Sequence, residues 1–133
     1  MSSKFLVDTH ILLWIFTDPQ KLSPTIRAVL NDSDAEVYYS PISLWEISIK
    51  YGLGKLSISG ISPEEFFVEL DKSFLHCKPL DNESLITSYQ LPHLHKDPFD
   101  RMLFWEAIRD GFTLLSVDAE SEAYTESGLH VLR

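Results

Sequence analysis

The chain has 133 residues, 44% of them apolar, and carries 20 Asp and Glu against 11 Lys and Arg for a formal net charge of −9. This length suits a single domain over residues 1–133 with its own core; the apolar runs are too short to span a bilayer, and the opening Met1-Ser2-Ser3-Lys4 lacks a leader's apolar stretch. One cysteine, Cys77, excludes an internal disulfide and is expected to be buried and inert in a reducing cytoplasm, while the acidic balance argues against general affinity for phosphates unless metal neutralises a gathered site or the partner is a basic peptide.

Phe5-Leu6-Val7 reads as a short buried strand, followed by a largely buried helix over Ile11 to Phe16 that ends before Asp18-Pro19. Ser23-Pro24 is a cap with proline at the first helical position, so a helix should run to about Asn31. Glu36-Val37-Tyr38-Tyr39 is the next strand, and a helix from Ser43 to Tyr51 follows, broken by Gly52 and Gly54. Ser62 and Glu65 form a capping box ahead of an amphipathic helix through Phe66, Phe67 and Leu70.

Cys77-Lys78-Pro79-Leu80 fits an edge strand, where proline is tolerated. Asn82 to Leu91 is predicted helical. Asp97-Pro98 starts a long helix to Asp110 with Gly111 as its stop, Thr113 to Ser116 is a strand, Ala119 to Tyr124 a short helix, and His130 to Leu132 an edge strand. The alternation of strands and helices predicts an α/β fold around a mainly parallel sheet.

Four acids stand where strands end, helices begin or apolar helices are interrupted: Asp8, Glu46, Asp100 and Asp118. Carboxylates are the hard oxygen donors that Mg²⁺ and Mn²⁺ prefer, and ligands of open parallel sheets bind beyond the carboxyl ends of the strands, where Asp8 and Asp118 would lie. Simpler roles compete. Asp8 and Asp118 would serve equally as helix caps, and Glu46 would pair with Lys50 one turn later, although Ile42, Leu44, Trp45, Ile47 and Ile49 leave a charge there in need of a partner.

With Pro98 at the first helical position, Asp97 becomes the cap and Asp100 the free carboxylate, held ionised by the positive end of the helix. Arg101 would hold a phosphate or pair with Asp97, Ser116 and Thr9 would orient water or cap backbone, and His93 and His95 make a weak case for zinc. Trp14, Phe16, Trp45, Tyr51 and Phe104 are core by default, and any left exposed would mark a protein interface.

Together, Leu6-Val7-Asp8-Thr9-His10-Ile11-Leu12-Leu13-Trp14, Ser43-Leu44-Trp45-Glu46-Ile47-Ser48-Ile49-Lys50 with Leu53-Gly54-Lys55-Leu56, His95-Lys96-Asp97-Pro98-Phe99-Asp100-Arg101-Met102-Leu103 and Leu114-Leu115-Ser116-Val117-Asp118 resemble the PIN-domain family, most closely its VapC-type toxins. The resemblance implies a three-layer α/β/α fold, Mg²⁺- or Mn²⁺-dependent cleavage of RNA, a homodimer and inhibition by a VapB-type antitoxin. Family acids carry over onto Asp8, Glu46, Asp100 and Asp118, and a family hydroxyl onto Ser116. Ala119-Glu120-Ser121-Glu122 is more acidic than the family pattern. The alternative reading is a PIN-like interaction module that no longer cuts. A response-regulator receiver is disfavoured because Asp8 stands alone beside the first strand and no lysine follows the last.

Overall fold

The computed structural model describes residues 3–133; Met1 and Ser2, part of the polar opening segment, lie outside the described residues. Strands β1 (Ser3–Val7), β2 (Ala35–Tyr39), β3 (His76–Cys77), β4 (Thr113–Leu115) and β5 (His130–Leu132) form a parallel sheet in the order β3-β2-β1-β4-β5. Helices α1 (Thr9–Thr17), α2 (Pro24–Leu30), α3 (Pro41–Gly52), α4 (Pro63–Asp71), α5 (Asn82–Thr87) and α6 (Pro98–Asp110) connect and cover it. None is long and apolar enough to cross a membrane.

Alternation along the strands divides the core in two. Leu6 and Leu114 join Leu103, Phe104 and Tyr124 on one face, while Val7 and Leu115 join Ile11, Leu12, Ile26, Phe66 and Leu70 on the other. A sheet buried on both faces explains why Phe5-Leu6-Val7 is uniformly apolar, and each such buried Leu or Val contributes about 1.5–3 kcal/mol. The expected three layers are therefore present.

Most helix starts follow their caps. Ser23 accepts from Ile26, the Ser62–Glu65 capping box is complete, and Asp97 opens α6, which Gly111 ends at φ 71°. Helix α3 starts earlier than expected because Ser40-Pro41 repeats the Ser23-Pro24 signal: the Ser40 hydroxyl accepts from the Ile42 amide. The predicted helix from Asn82 to Leu91 tightens into a 3₁₀ turn at Ser88–Gln90, where the Thr87 and Ser88 hydroxyls bond back to the Glu83 and Leu85 carbonyls. The last helix is likewise 3₁₀, over Ala119–Ser127.

Three side chains depart from expectation in burial. Cys77 is exposed, because β3 is a two-residue edge strand. Trp45 and Tyr51 are 59% and 41% exposed. Helix α3 is apolar on more than one face, and the face it buries is Ile42, Ser43, Glu46 and Ile47. Trp45 lies off that face and packs edge-on against Phe99 with ring centres 5.4 Å apart, joining α3 to the start of α6.

A buried polar tie joins the same two helices further down. The Ser40 hydroxyl donates to Glu106 Oε1 at 2.6 Å, and Lys78 Nζ lies 3.4 Å from Glu106 Oε2 and 2.6 Å from Asp110 Oδ2. Burial pushes the Glu106 carboxyl up, against the Ser40 hydrogen bond and the Lys78 charge.

Candidate metal centre

Strand β1 lies between β2 and β4, and the connections run outward in both directions from it, which makes the carboxyl ends of β1 and β4 the topological switch point where ligands of open α/β sheets bind. Asp8 follows β1 directly, and Ser116 and Asp118 follow β4. Asp8 does cap α1, accepting from the Ile11 amide at 2.8 Å through Oδ1. Its other oxygen accepts from the Ser116 hydroxyl at 2.5 Å, and the same hydroxyl accepts from the Asp118 amide at 3.0 Å. Ser116 therefore links the two acids, a tertiary role beyond the local cap expected of it. Burial pushes the Asp8 carboxyl up, opposed by these two hydrogen bonds, and the Asp118 charge adds to the rise.

Asp118 caps the 3₁₀ segment through the Glu120 amide at 2.9 Å. Capping does not exhaust either carboxylate, since each has about four lone-pair directions and a cap uses one. Ser116→Ala removes a hydrogen bond to a buried carboxylate and an acceptor for an amide. A loss of about 1.5–3 kcal/mol is expected in denaturant unfolding. Unchanged stability would show that water replaces the hydroxyl at no cost.

Glu46 approaches from α3, within electrostatic reach of Asp100, and is 3% exposed. Thr9 donates to its Oε1 at 2.6 Å and lies 3.0 Å from the Ser43 hydroxyl, so Thr9 orients Glu46 instead of capping backbone. Lys50 pairs with Oε2. The Glu46–Lys50 pair that the spacing allows is thus present. Burial lowers the Lys50 pKa, but Glu46, with Asp97 and Asp100 behind it, more than offsets this and the ammonium is held charged.

At the start of α6, Asp97 Oδ1 accepts from the Phe99 amide at 2.8 Å and the Asp100 amide at 3.1 Å. Asp100 is thereby left out of the cap, as its position predicts. It is not held ionised by the helix, however. Burial first, with the charges of Asp97, Glu46 and Asp118, pushes its carboxyl up to about 6, although the His95 hydrogen bond pulls the other way. A single helix end offsets only about 1 kcal/mol, less than burial among like charges costs here.

His95, weighed in the sequence only as a weak zinc candidate, lies beside these acids. Its Nε2 lies 2.9 Å from Asp100 Oδ2, and one donor atom each from His95, Asp100 and Asp118 fall within 4.8 Å of one another. Among the described residues this is the one convergent group of three metal-type donors. Asp8 and Glu46 flank it, coupled electrostatically to Asp118 and Asp100 respectively. Burial disfavours charge on His95, but Asp100, Asp118 and Glu120 outweigh it and its pKa is raised.

Among the described residues Arg101 makes no ion pair with Asp97. Its guanidinium donates to the Leu91 and Pro92 carbonyls and to the Tyr124 hydroxyl, which fixes the segment leading to His95. The donor set as a whole suits a hard divalent cation: carboxylate oxygens on independent elements, two of them with raised pKa because too much negative charge or too little water surrounds them.

A family model described as PIN domain matches residues 5–126. No curated protein matches the chain. Among solved structures, DNA-bound VapBC from Salmonella typhimurium is similar at 23% identity and TM-score 0.67, over 98% of this chain and 97% of that one. VapBC2 from Rickettsia felis, bound to a promoter DNA fragment, is 16% identical with TM-score 0.64 over 97% of each chain. VapBC-5 from Mycobacterium tuberculosis is 14% identical with TM-score 0.63 over 98% of each. At these identities the likeness is one of fold.

Proposed function

The chain belongs to the PIN domain family, and from that premise we propose that it is a Mg²⁺- or Mn²⁺-dependent endoribonuclease, the toxin of a VapBC-like pair held in check by a VapB-type antitoxin. Support for the reading comes from the carboxyl ends of β1 and β4, where Asp118 acts electrostatically on Asp8 and where burial first, then the charges of Asp97, Glu46 and Asp118, raise the Asp100 carboxyl.

Asp8, Glu46 and Asp100 would hold the cation, with Asp118 completing the site directly or through water. A divalent cation held there supplies Lewis acidity and makes water nucleophilic enough to attack an RNA phosphate near neutral pH. The chain's own residues do the positioning. Ser116 fixes the rotamer of Asp8, Thr9 that of Glu46, and the Trp45–Phe99 contact keeps α3 and α6 in register beside their acids. Lys50 places a positive charge at the edge of an acidic site, where an RNA phosphate must approach a chain of net charge −9.

Exposed apolar side chains support protein partners, an antitoxin and a second copy of the chain among them: Trp45, Leu53, Phe67, Ile86 and Tyr89 all face solvent. The enzymatic reading is tested by fluorescence-detected cleavage of a structured RNA. Cleavage in Mg²⁺ or Mn²⁺ that chelator abolishes is the expected result. Equal traces with and without chelator, in a protein whose melting temperature ignores the metal, would leave the interaction module as the better description.

Asp100 also sets a pH dependence. Because its carboxyl sits near 6 in the folded protein, it takes up a proton as pH falls through that value, and a cation must displace that proton. Apparent Mg²⁺ affinity is expected to weaken by about tenfold per pH unit below that point. Without metal the sign reverses. A raised carboxyl favours the folded state at low pH, and that contribution is lost as pH rises through the folded value. Thermal melts with Mg²⁺ and with chelator across this range measure both trends, and parallel curves would refute the coupling.

A further inference from the structure

We propose that His95 is a metal ligand, forming with Asp100 and Asp118 a mixed nitrogen and oxygen position that favours Mn²⁺ over Mg²⁺. The inference rests on the nuclease reading of the neighbouring acids and adds to it a donor of a different chemical kind. The three donor atoms lie within 4.8 Å of one another, and donors around a cation of this size are about 3–4 Å apart, so a small inward adjustment closes the group.

His95 is held as a ligand needs to be held. The backbone amides of Leu94 and His95 donate to the Tyr124 hydroxyl at 3.0 and 2.9 Å, and that hydroxyl donates to the Pro92 carbonyl at 2.8 Å. Arg101 closes the knot through the Leu91 and Pro92 carbonyls and Tyr124 itself. Tyr124 is wholly buried and spends its one side-chain polar atom on this loop. The imidazole ring rests against Phe104 with centres 6.1 Å apart. With Nδ1 turned toward Glu120 at 3.7 Å, Nε2 faces the acids, an arrangement in which an outer carboxylate fixes ring orientation as it does for ligating histidines.

Nitrogen donors change the choice of ion. Mg²⁺ takes oxygen almost exclusively and keeps its waters, whereas imidazole suits the first-row transition metals. The cap that Asp118 makes with the Glu120 amide uses its Oδ1 and leaves the carboxylate other lone pairs to offer a cation beside His95 and Asp100.

Pulsed electron paramagnetic resonance of Mn²⁺ bound to the intact chain reads the ligand directly. Nitrogen coupling from a histidine is expected in the unaltered protein and should vanish in His95→Gln. That variant should bind Mn²⁺ about tenfold more weakly, with Mg²⁺ affinity, read by competition, changed less than about threefold. Mn²⁺ bound without nitrogen coupling, and lost in Asp8→Asn, would overturn the role of His95 while sparing the acidic site. An unaltered chain that binds no Mn²⁺ would overturn both. The coupling is measured in the unaltered protein, so the outcome does not depend on how the variant folds.

Discussion

Asp8→Asn is expected to abolish metal-dependent RNA cleavage, by about a hundredfold or more, roughly 3 kcal/mol of transition-state stabilisation, while leaving the metal-free protein as stable as before or more so. The two halves of this expectation have one cause. Asp8 is 5% exposed and its carboxyl is pushed up by burial, so the ionised form is held against its preference. An amide of the same shape keeps an oxygen for the Ile11 amide and has no charge to desolvate. It also has little to offer a cation. Melting curves in chelator should therefore match or exceed those of the unaltered chain. The gain that saturating Mg²⁺ gives, about 2.7 kcal/mol at a hundred times the dissociation constant, should disappear. Intact cleavage in this variant would remove Asp8 from the site altogether. Loss of both activity and metal-free stability would instead make it a purely structural cap.

Lys78→Met is expected to be the most destabilising single change away from the site, at about 3–5 kcal/mol near neutral pH. Lys78 and Glu106 are 6% and 0% exposed, and the ammonium also lies 2.6 Å from Asp110 Oδ2. Removing the ammonium leaves Glu106 with the Ser40 hydroxyl as its remaining partner in a site where burial already pushes its carboxyl up. The sign of the pH effect follows. A raised carboxyl contributes stability that is fully present below its unfolded value and is lost as pH rises through its folded value, so the variant should be least impaired in mild acid and most impaired above neutrality. Adding Glu106→Gln should recover most of the loss, because no buried charge then lacks a partner. Urea unfolding of the two variants at acidic and neutral pH measures this, and a pH-independent loss would assign the effect to the lost contact of the Lys78 ammonium with the Phe112 ring, 5.4 Å away.

What could be read from the sequence was what the chain settles locally. The Ser23-Pro24, Ser62–Glu65 and Asp97-Pro98 caps lie within a few residues of the amides they serve, and each helix begins where its cap places it. The four acids stood out for the same reason: each adjoins a strand end or interrupts an apolar face. What escaped notice depends on partners brought together by the fold. Ser116 meets Asp8 across 108 residues, Lys78 meets Glu106 across 28, and Tyr124 reaches back to the His95 loop across 29. Trp45 was misjudged because α3 carries apolar residues around most of its circumference, so periodicity alone could not say which side faces the sheet. His95 had a readable signal, a ligand-type side chain five residues before a helix N-terminal acid, but only the cap at Asp97 turns the chain so that the two meet.

The distance along the chain between Asp8 and Ser116 also governs when the site comes into being. Strand β1 leaves the ribosome before β4, and the hydroxyl that orients Asp8 arrives 108 residues later, after roughly 5–20 seconds of synthesis. Until β4 pairs with β1, neither Ser116 nor Asp118 has a place to stand, and a chain stopped short of that strand carries half a site. A nuclease site assembled this way would be silent while the chain is being made and after any cut that removes β4 and β5. For a protein whose activity would turn on the cell's own RNA, the parallel sheet is thus also a timer.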